Sequence, residues 1–225
     1  MFISVTKIVQ SIIDGDPSIQ DAIQRGYANY SAIARIIKSN VEEQIEEPVN
    51  MQSLITAVKR CNVNYKPPTG NVSKVISESV INLRTDVAKI TIEKTRATTN
   101  LVRNVLTEYV ADFFQVLEGM SSITLIIDQK IFSKIKPQFP QRAILDEKKD
   151  LAAIIVQSPK EIIATPGCAI AFYNPISRRG VNIEETMSSY TDTIVVLRME
   201  DVGRAFNALN DLISGMRKAI YLVRR

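Results

Sequence analysis

The 225-residue chain has no histidine and only two cysteines. Without histidine, Ser-His and Cys-His nucleophile pairs and His-ligated metal sites are excluded. Cys61 and Cys168 are too few for a thiolate zinc site or a secreted disulfide scaffold, which points to a reducing, cytoplasmic setting. Long apolar runs are missing as well. The longest, Leu151–Val156, is far short of a membrane span of about 20 residues. Residues 1–13 are fairly apolar, but Lys7 interrupts them and no small-residue cleavage site follows, so no signal peptide is expected. Nor does charge of one sign dominate: 28 Lys+Arg face 24 Asp+Glu, for a net charge of +4. Residues 1–70 hold seven basic and seven acidic side chains, so composition marks no strongly basic nucleic-acid surface. With 45% hydrophobic and 23% charged residues, the chain can fold around a sizeable core.

The first 63 residues read as four helices. Val5, Ile8, Val9, Ile12 and Ile13 recur at helical spacing, and Asp14-Gly15 closes that segment. Asp16-Pro17 starts a second helix, because Asp16 can cap free N–H groups and Pro17 needs none at the first position. Gly26 ends it. Asn29 caps a third helix with an Ile33, Ile37, Val41 and Ile45 stripe, ended by Pro48. Asn50 caps a fourth, carrying Met51, Leu54, Ile55, Val58 and Cys61. A helix, a short glycine turn and a longer helix make the layout of a helix-turn-helix unit. On that reading residues 30–45 form a recognition helix, with Tyr30, Arg35 and Lys38 facing DNA. The alternative is a small bundle for packing or partner binding. Glu42, Glu43, Glu46 and Glu47 at the end of the same helix would repel phosphate.

Lys66-Pro67-Pro68-Thr69-Gly70 reads as a linker, and Asn71–Val80 as either a short helix or the approach to a strand. Beyond it the period falls to two: Ala88, Ile90 and Ile92 alternate with Lys89, Thr91 and Glu93. A helix follows (Leu101–Tyr109), then a hairpin (Phe113–Leu117 and Ile123–Ile127), a short helix (Ile131–Ile135) and a short strand (Ala143–Leu145). The charged run Asp146–Asp150 reads as a turn into a second unit. That unit holds a strand at Leu151–Val156, a short, helix-like Pro159–Ile163, a helix from Pro166-Gly167 to Gly180, and a hairpin of Val181–Met187 and Thr193–Leu197. A helix from Glu200-Asp201 to Gly215 and a closing strand at Ala219–Val223 complete it. Both units spell β-α-β-β-α-β, the ferredoxin-like plan. The expected fold class is α+β: a helical domain (1–70), then two tandem ferredoxin-like units (71–146 and 147–225).

In the second unit, Thr165-Pro166-Gly167 before a helix, Gly180-Val181-Asn182-Ile183-Glu184-Glu185 and Tyr190-Thr191-Asp192-Thr193-Ile194-Val195-Val196 resemble ACT domains. They look most like the regulatory ACT domains of aspartokinases, across residues 149–225. Residues 80–146 match in element order alone. Arg25-Gly26-Tyr27-Ala28-Asn29-Tyr30-Ser31-Ala32 resembles the helical head of prokaryotic proteins that carry ACT domains without a kinase. The resemblance implies an effector, usually an amino acid, held between the first strand-helix loop and the second strand of a neighbouring domain. Carried over, Thr165, Pro166, Gly167 and Cys168 form one wall, and Asn182 and Ile183 the other.

The chemistry of those residues agrees with that placement. Gly167 lets backbone approach closely, helix N–H groups favour a carboxylate, and Asn182 both donates and accepts. Equally, Thr165-Pro166-Gly167 is a routine turn into a helix, and Asn182 can serve a strand edge. Pro175, inside the helix, should kink it. Cys168 at a helix start invites a lowered thiol pKa, or is a small packing residue. Arg178 and Arg179 complement the helix end. Ser188, Ser189 and Thr191 read as turn residues. No cofactor or metal is implied, and no catalytic motif stands out.

The expectation is a non-catalytic regulator. It would sense a small metabolite through ACT units and relay it by the helical head to DNA or a protein. The alternative is an interaction module whose ACT-like units only dimerise. ACT units expose one sheet face and edge strands, so a homodimer or higher homo-oligomer is expected.

Overall fold

The computed structural model describes residues 4–61, 71–109 and 113–223, with the Val223 side chain left aside. The chain divides into two compact units, Met1–Pro67 and Pro68–Arg225. The expected linker at 66–70 lies outside the described residues.

The N-terminal unit is four helices: α1 (Val5–Asp14), α2 (Pro17–Gln24), α3 (Tyr30–Ile45) and α4 (Met51–Arg60). Each begins at a side chain that accepts from its first turn. Ser4 accepts from Lys7, Asp16 from Ser18 and Ile19, Asn29 from Ala32, and Asn50 from Gln52 and Ser53. Such caps are worth about 1 kcal/mol each. Helix α3 stops before Pro48. Glu46 turns left-handed (φ 61°), and the Glu42 carboxylate accepts the Val49 N–H at 2.8 Å. The apolar stripes meet in one core around Val9, Ile13, Ile37, Val41 and Leu54.

The C-terminal unit runs α5 (Val72–Glu78), β1 (Val80–Glu93), α6 (Arg96–Glu108), β2 (Phe114–Glu118), β3 (Ser122–Asp128), α7 (Gln129–Ile135), β4 (Ile144–Gln157), α8 (Cys168–Arg178), β5 (Glu185–Ser189), β6 (Asp192–Arg198) and α9 (Val202–Val223). The six strands form one sheet in the order β2-β3-β1-β4-β6-β5, and every pairing is antiparallel.

The two expected tandem units are interleaved rather than consecutive. Strands β1 and β4 are each 14 residues long, and each carries a left-handed aspartate at its seventh position: Asp86 (φ 55°) and Asp150 (φ 54°). The ladder between them shifts register there, between Arg84 and Val87 and again between Val87 and Lys89. The second half of β1 pairs with β3, while its first half, Val80–Arg84, pairs with Gln157–Ala153 of β4. Each long strand thus supplies the first strand of its own β-α-β-β-α repeat and the fourth strand of the other.

This explains two corrections. Ala219–Val223 is the end of helix α9, not a closing strand, because β1 already occupies that sheet position. Gly215 lies inside α9, and the apolar face continues past it from Leu212 and Ile213 to Met216. Likewise, Asp146–Asp150 is not a turn but part of β4. Its charges are satisfied by neighbours: Asp146 by Lys89, Glu147 by Lys136, and Lys148 by Glu184.

Helices cover one face of the sheet in two clusters. Helices α6 and α7 pack Val102, Val105 and Phe132 over Ile90, Ile92, Leu125 and Ile127. Helices α5, α8 and α9 pack Val75, Phe172 and Leu209 over Ile154, Val156, Val195 and Leu197. The opposite face was expected to be open, yet it is buried. Val87, Ile126, Leu151, Ala153, Ile194 and Val196 form a further cluster there, each at most 4% exposed. The sheet curls so that its halves share this face. The Lys89 ammonium on β1 reaches Glu185 on the edge strand β5 at 3.3 Å, although β4 and β6 lie between them.

Candidate functional site

Helix α8 organises the expected effector site. A 3-10 turn, Lys160–Ala164, leads from β4 to Gly167, whose φ of 93° demands glycine. Gly167 is the N-cap of α8, and among the described residues no side chain caps the helix. Among the described residues its first N–H groups have no side-chain acceptor, as an exposed helix start leaves them. Thr165 spends its hydroxyl proton locally, on the Glu161 carbonyl at 2.7 Å. Pro166 is exposed. Around this start lies an apolar collar that periodicity alone did not reveal: Ile163 is 58% exposed and Ile170 is 69% exposed.

Cys168 does not face this site. It is buried in the core with Phe172 and Ile176, and burial pushes its thiol pKa up, opposite to the lowered value a helix start invites. Cys61 is likewise raised, by burial and then by the Asp14 charge. Pro175 sits within α8, which continues unbroken from Cys168 to Arg178, so the expected kink does not interrupt the helix. Arg179 at its end ion-pairs with Asp211 of α9 at 2.6 Å, which makes it a structural tie.

The second wall, Asn182–Ile183, lies just before β5 rather than on it. Val181 turns into the core, Asn182 is exposed, and Ile183 packs partly against the α8 and α9 cluster. The Tyr173 hydroxyl meets that of Thr186 at 2.6 Å, tying α8 to β5. Within one chain the two walls stand at opposite ends of α8. Its 11 residues span about 16 Å, too far for one amino acid to bridge.

Directly after this wall comes an ion network. The Glu184 carboxylate, 5% exposed, accepts from Lys148 at 2.5 Å and Arg198 at 3.4 Å. Hydrogen bonding to Lys148, against the opposing effect of burial, holds its pKa below the usual carboxylate range. Glu185 and Asp146 flank the Lys89 ammonium at 3.3 and 3.1 Å. Burial alone would lower the Lys89 pKa, but the hydrogen bond to Asp146 and the charge of Glu185 more than offset it and raise it. Two matching clefts flank the left-handed aspartates. One holds Arg84, Asp86 and Asp128, and the other Lys148, Asp150 and Arg198. In the first, Arg84 is locked on Asp128. Among the described residues no group of three or more His, Cys, Asp or Glu side chains can hold a metal, and no helix is long and apolar enough to cross a membrane.

In the N-terminal unit, Tyr30 packs partly against the core, Lys38 ion-pairs with Glu42 at 3.3 Å, and Arg35 is exposed.

No family model and no curated protein sequence matches the chain. Solved structures do. The regulatory subunit of aspartate kinase from Thermus thermophilus matches with a TM-score of 0.50 at 16% identity, over 59% of this chain and 95% of that one. Aspartate kinase from Synechocystis matches with a TM-score of 0.52 at 16% identity, over 61% of this chain and 27% of that one. The Clostridium acetobutylicum enzyme gives a TM-score of 0.48 at 22% identity, over 59% of this chain and 34% of its own. The match thus spans about a third or less of these two kinases. What is shared is a fold, the mixed α/β fold of an aspartate kinase regulatory subunit.

Proposed function

We propose that the protein is a non-catalytic regulator whose C-terminal unit is an ACT-type sensor of a small metabolite, an amino acid. The effector lies between the Gly167 loop of one copy and Asn182–Ile183 of another. Its carboxylate faces the uncapped N–H groups of α8, and the Asn182 amide meets its polar groups. The observation that carries this reading is the exposed collar of Ile163 and Ile170 around an uncapped helix start. A second copy would cover that collar and would bring in the second wall, which within one chain stands at the other end of α8. The N-terminal helices relay the bound state to DNA or a protein, with Tyr30, Arg35 and Lys38 of α3 as one contact face for DNA.

Thermal shift against a panel of the amino acids tests the reading. An effector at about 100 times its Kd adds about 2.7 kcal/mol, which raises the melting temperature by several degrees. Gly167→Val should abolish the response, because the left-handed backbone strains any branched residue and the side chain fills the approach to the N–H groups. A flat panel would leave a dimerising interaction module instead.

A further inference from the structure

We propose that the groove between α1 and α4 is a contact site for the phosphate backbone of a nucleic acid. The groove, of about 360 Å³, is lined by Thr6 of α1 and by Gln52, Ser53, Thr56 and Arg60 of α4. No carboxylate of a described residue lines it. Helix α4 has no acidic residue, and the one on α1, Asp14, sits at its C-terminal end. The other acids of this unit gather elsewhere: Asp16 and Asp21 at α2, and Glu42, Glu43, Glu46 and Glu47 at the end of α3.

Cations sort the opposite way. Arg25 is neutralised by Asp21 and Lys38 by Glu42. Among the described residues, Arg60 and the exposed neighbours of the lining, Lys7 and Lys59, have no ion-pair partner. Arg35 is also unpaired, but it stands on the helix whose last turns are acidic. Beside the three cations lie side chains free to donate. Thr6, Gln52 and Ser53 make no side-chain hydrogen bond among the described residues, while Thr56 gives its proton to the Gln52 carbonyl. Arginine, lysine, hydroxyls and amides are the groups that hold phosphodiester oxygens, and they do so without reading sequence. Three cations without ion-pair partners beside neutral donors, with no carboxylate of a described residue in the lining, complement a polyanionic phosphodiester backbone.

This inference uses none of the effector-site residues and sets the nucleic acid on α1 and α4 in place of the α3 face named above, so the sensor reading and this one can fail separately. The test is fluorescence anisotropy of the full chain with a labelled mixed-sequence DNA duplex, between about 50 and 200 mM salt. Binding should weaken steeply with salt, and Arg60→Gln should flatten the slope of log K against log salt by about 0.9. The triple variant Lys7→Gln, Lys59→Gln, Arg60→Gln should lose binding while keeping its circular dichroism spectrum. Any of four results overturns the proposal. These are no binding at the lowest salt, a triple variant that binds like the parent, a loss confined to Arg35→Ala, and capture of poly-glutamate in place of DNA.

Discussion

Truncating Phe172 to alanine should remove about 3–5 kcal/mol of stability, read as a lower urea midpoint. Phe172 is fully buried and heads the fully buried side chains of the described residues by size. It is the middle of the seat of α8, in one cluster with Ile154, Ile176 and Leu209. The hole left behind is lined by strands and helices that cannot collapse together, so the cavity adds to the lost transfer energy. Phe172→Leu, which keeps most of the volume, should cost less than about 1.5 kcal/mol. A loss below about 1 kcal/mol for alanine would mean that α8, and with it the Gly167 loop, is not held on the sheet as described.

Replacing Lys89 by alanine should cost about 1–3 kcal/mol. The change leaves Glu185 and Asp146 facing each other beside the closed sheet face with no cation between them. Asp146 is 46% exposed, which keeps the loss below that of a fully buried pair. The pH dependence has a definite sign. The native Lys89 pKa is raised, so its contribution is complete below the ordinary lysine pKa and fades as pH rises through the native value. Glu184 works at the other end. Its native pKa is lowered, so its contribution is present above the ordinary glutamate pKa and fades as pH falls through the native value. Urea midpoints against pH should therefore lose part of their alkaline decline in Lys89→Met, the raised Cys61 and Cys168 thiols keeping the rest, and part of their acid decline in Glu184→Gln. An unchanged alkaline limb in Lys89→Met would remove the network from the account.

The elements were largely legible because the local signals were strong. Asp16-Pro17, Asn29 and Asn50 announced helix starts, and each cap forms. The alternation at Ala88–Ile92 announced a strand. What stayed hidden was long-range. Nothing local says that Val80–Arg84 pairs with Ala153–Gln157, so the sequence alone puts the strand completing the second repeat at Ala219–Val223, where the helical face of α9 in fact continues. The run Asp146–Asp150 looked like a turn because the partners of its charges, Lys89 and Glu184, lie far away in sequence. Isolated Ile194 and Val196 gave no sign that their face closes on Val87 and Ile126, because sheet curl is a tertiary property. Of the site, the glycine start of α8 was readable from Thr165-Pro166-Gly167. Its collar was not, since exposed isoleucines at 163 and 170 read as ordinary helix residues.

The sensor reading rests on a site shared between two copies. Mixing two variants tests it: Gly167→Val, damaged in one wall, and Asn182→Ala, damaged in the other. Alone, neither should respond to the amino acid that stabilises the parent protein. In a two-fold pair with both chains present, one site receives both lesions and the other receives none. Co-refolded mixtures should therefore recover binding by calorimetry, at a fraction of the parent stoichiometry. A mixture as silent as its components, beside a parent that binds, would place the effector elsewhere and contradict the shared site.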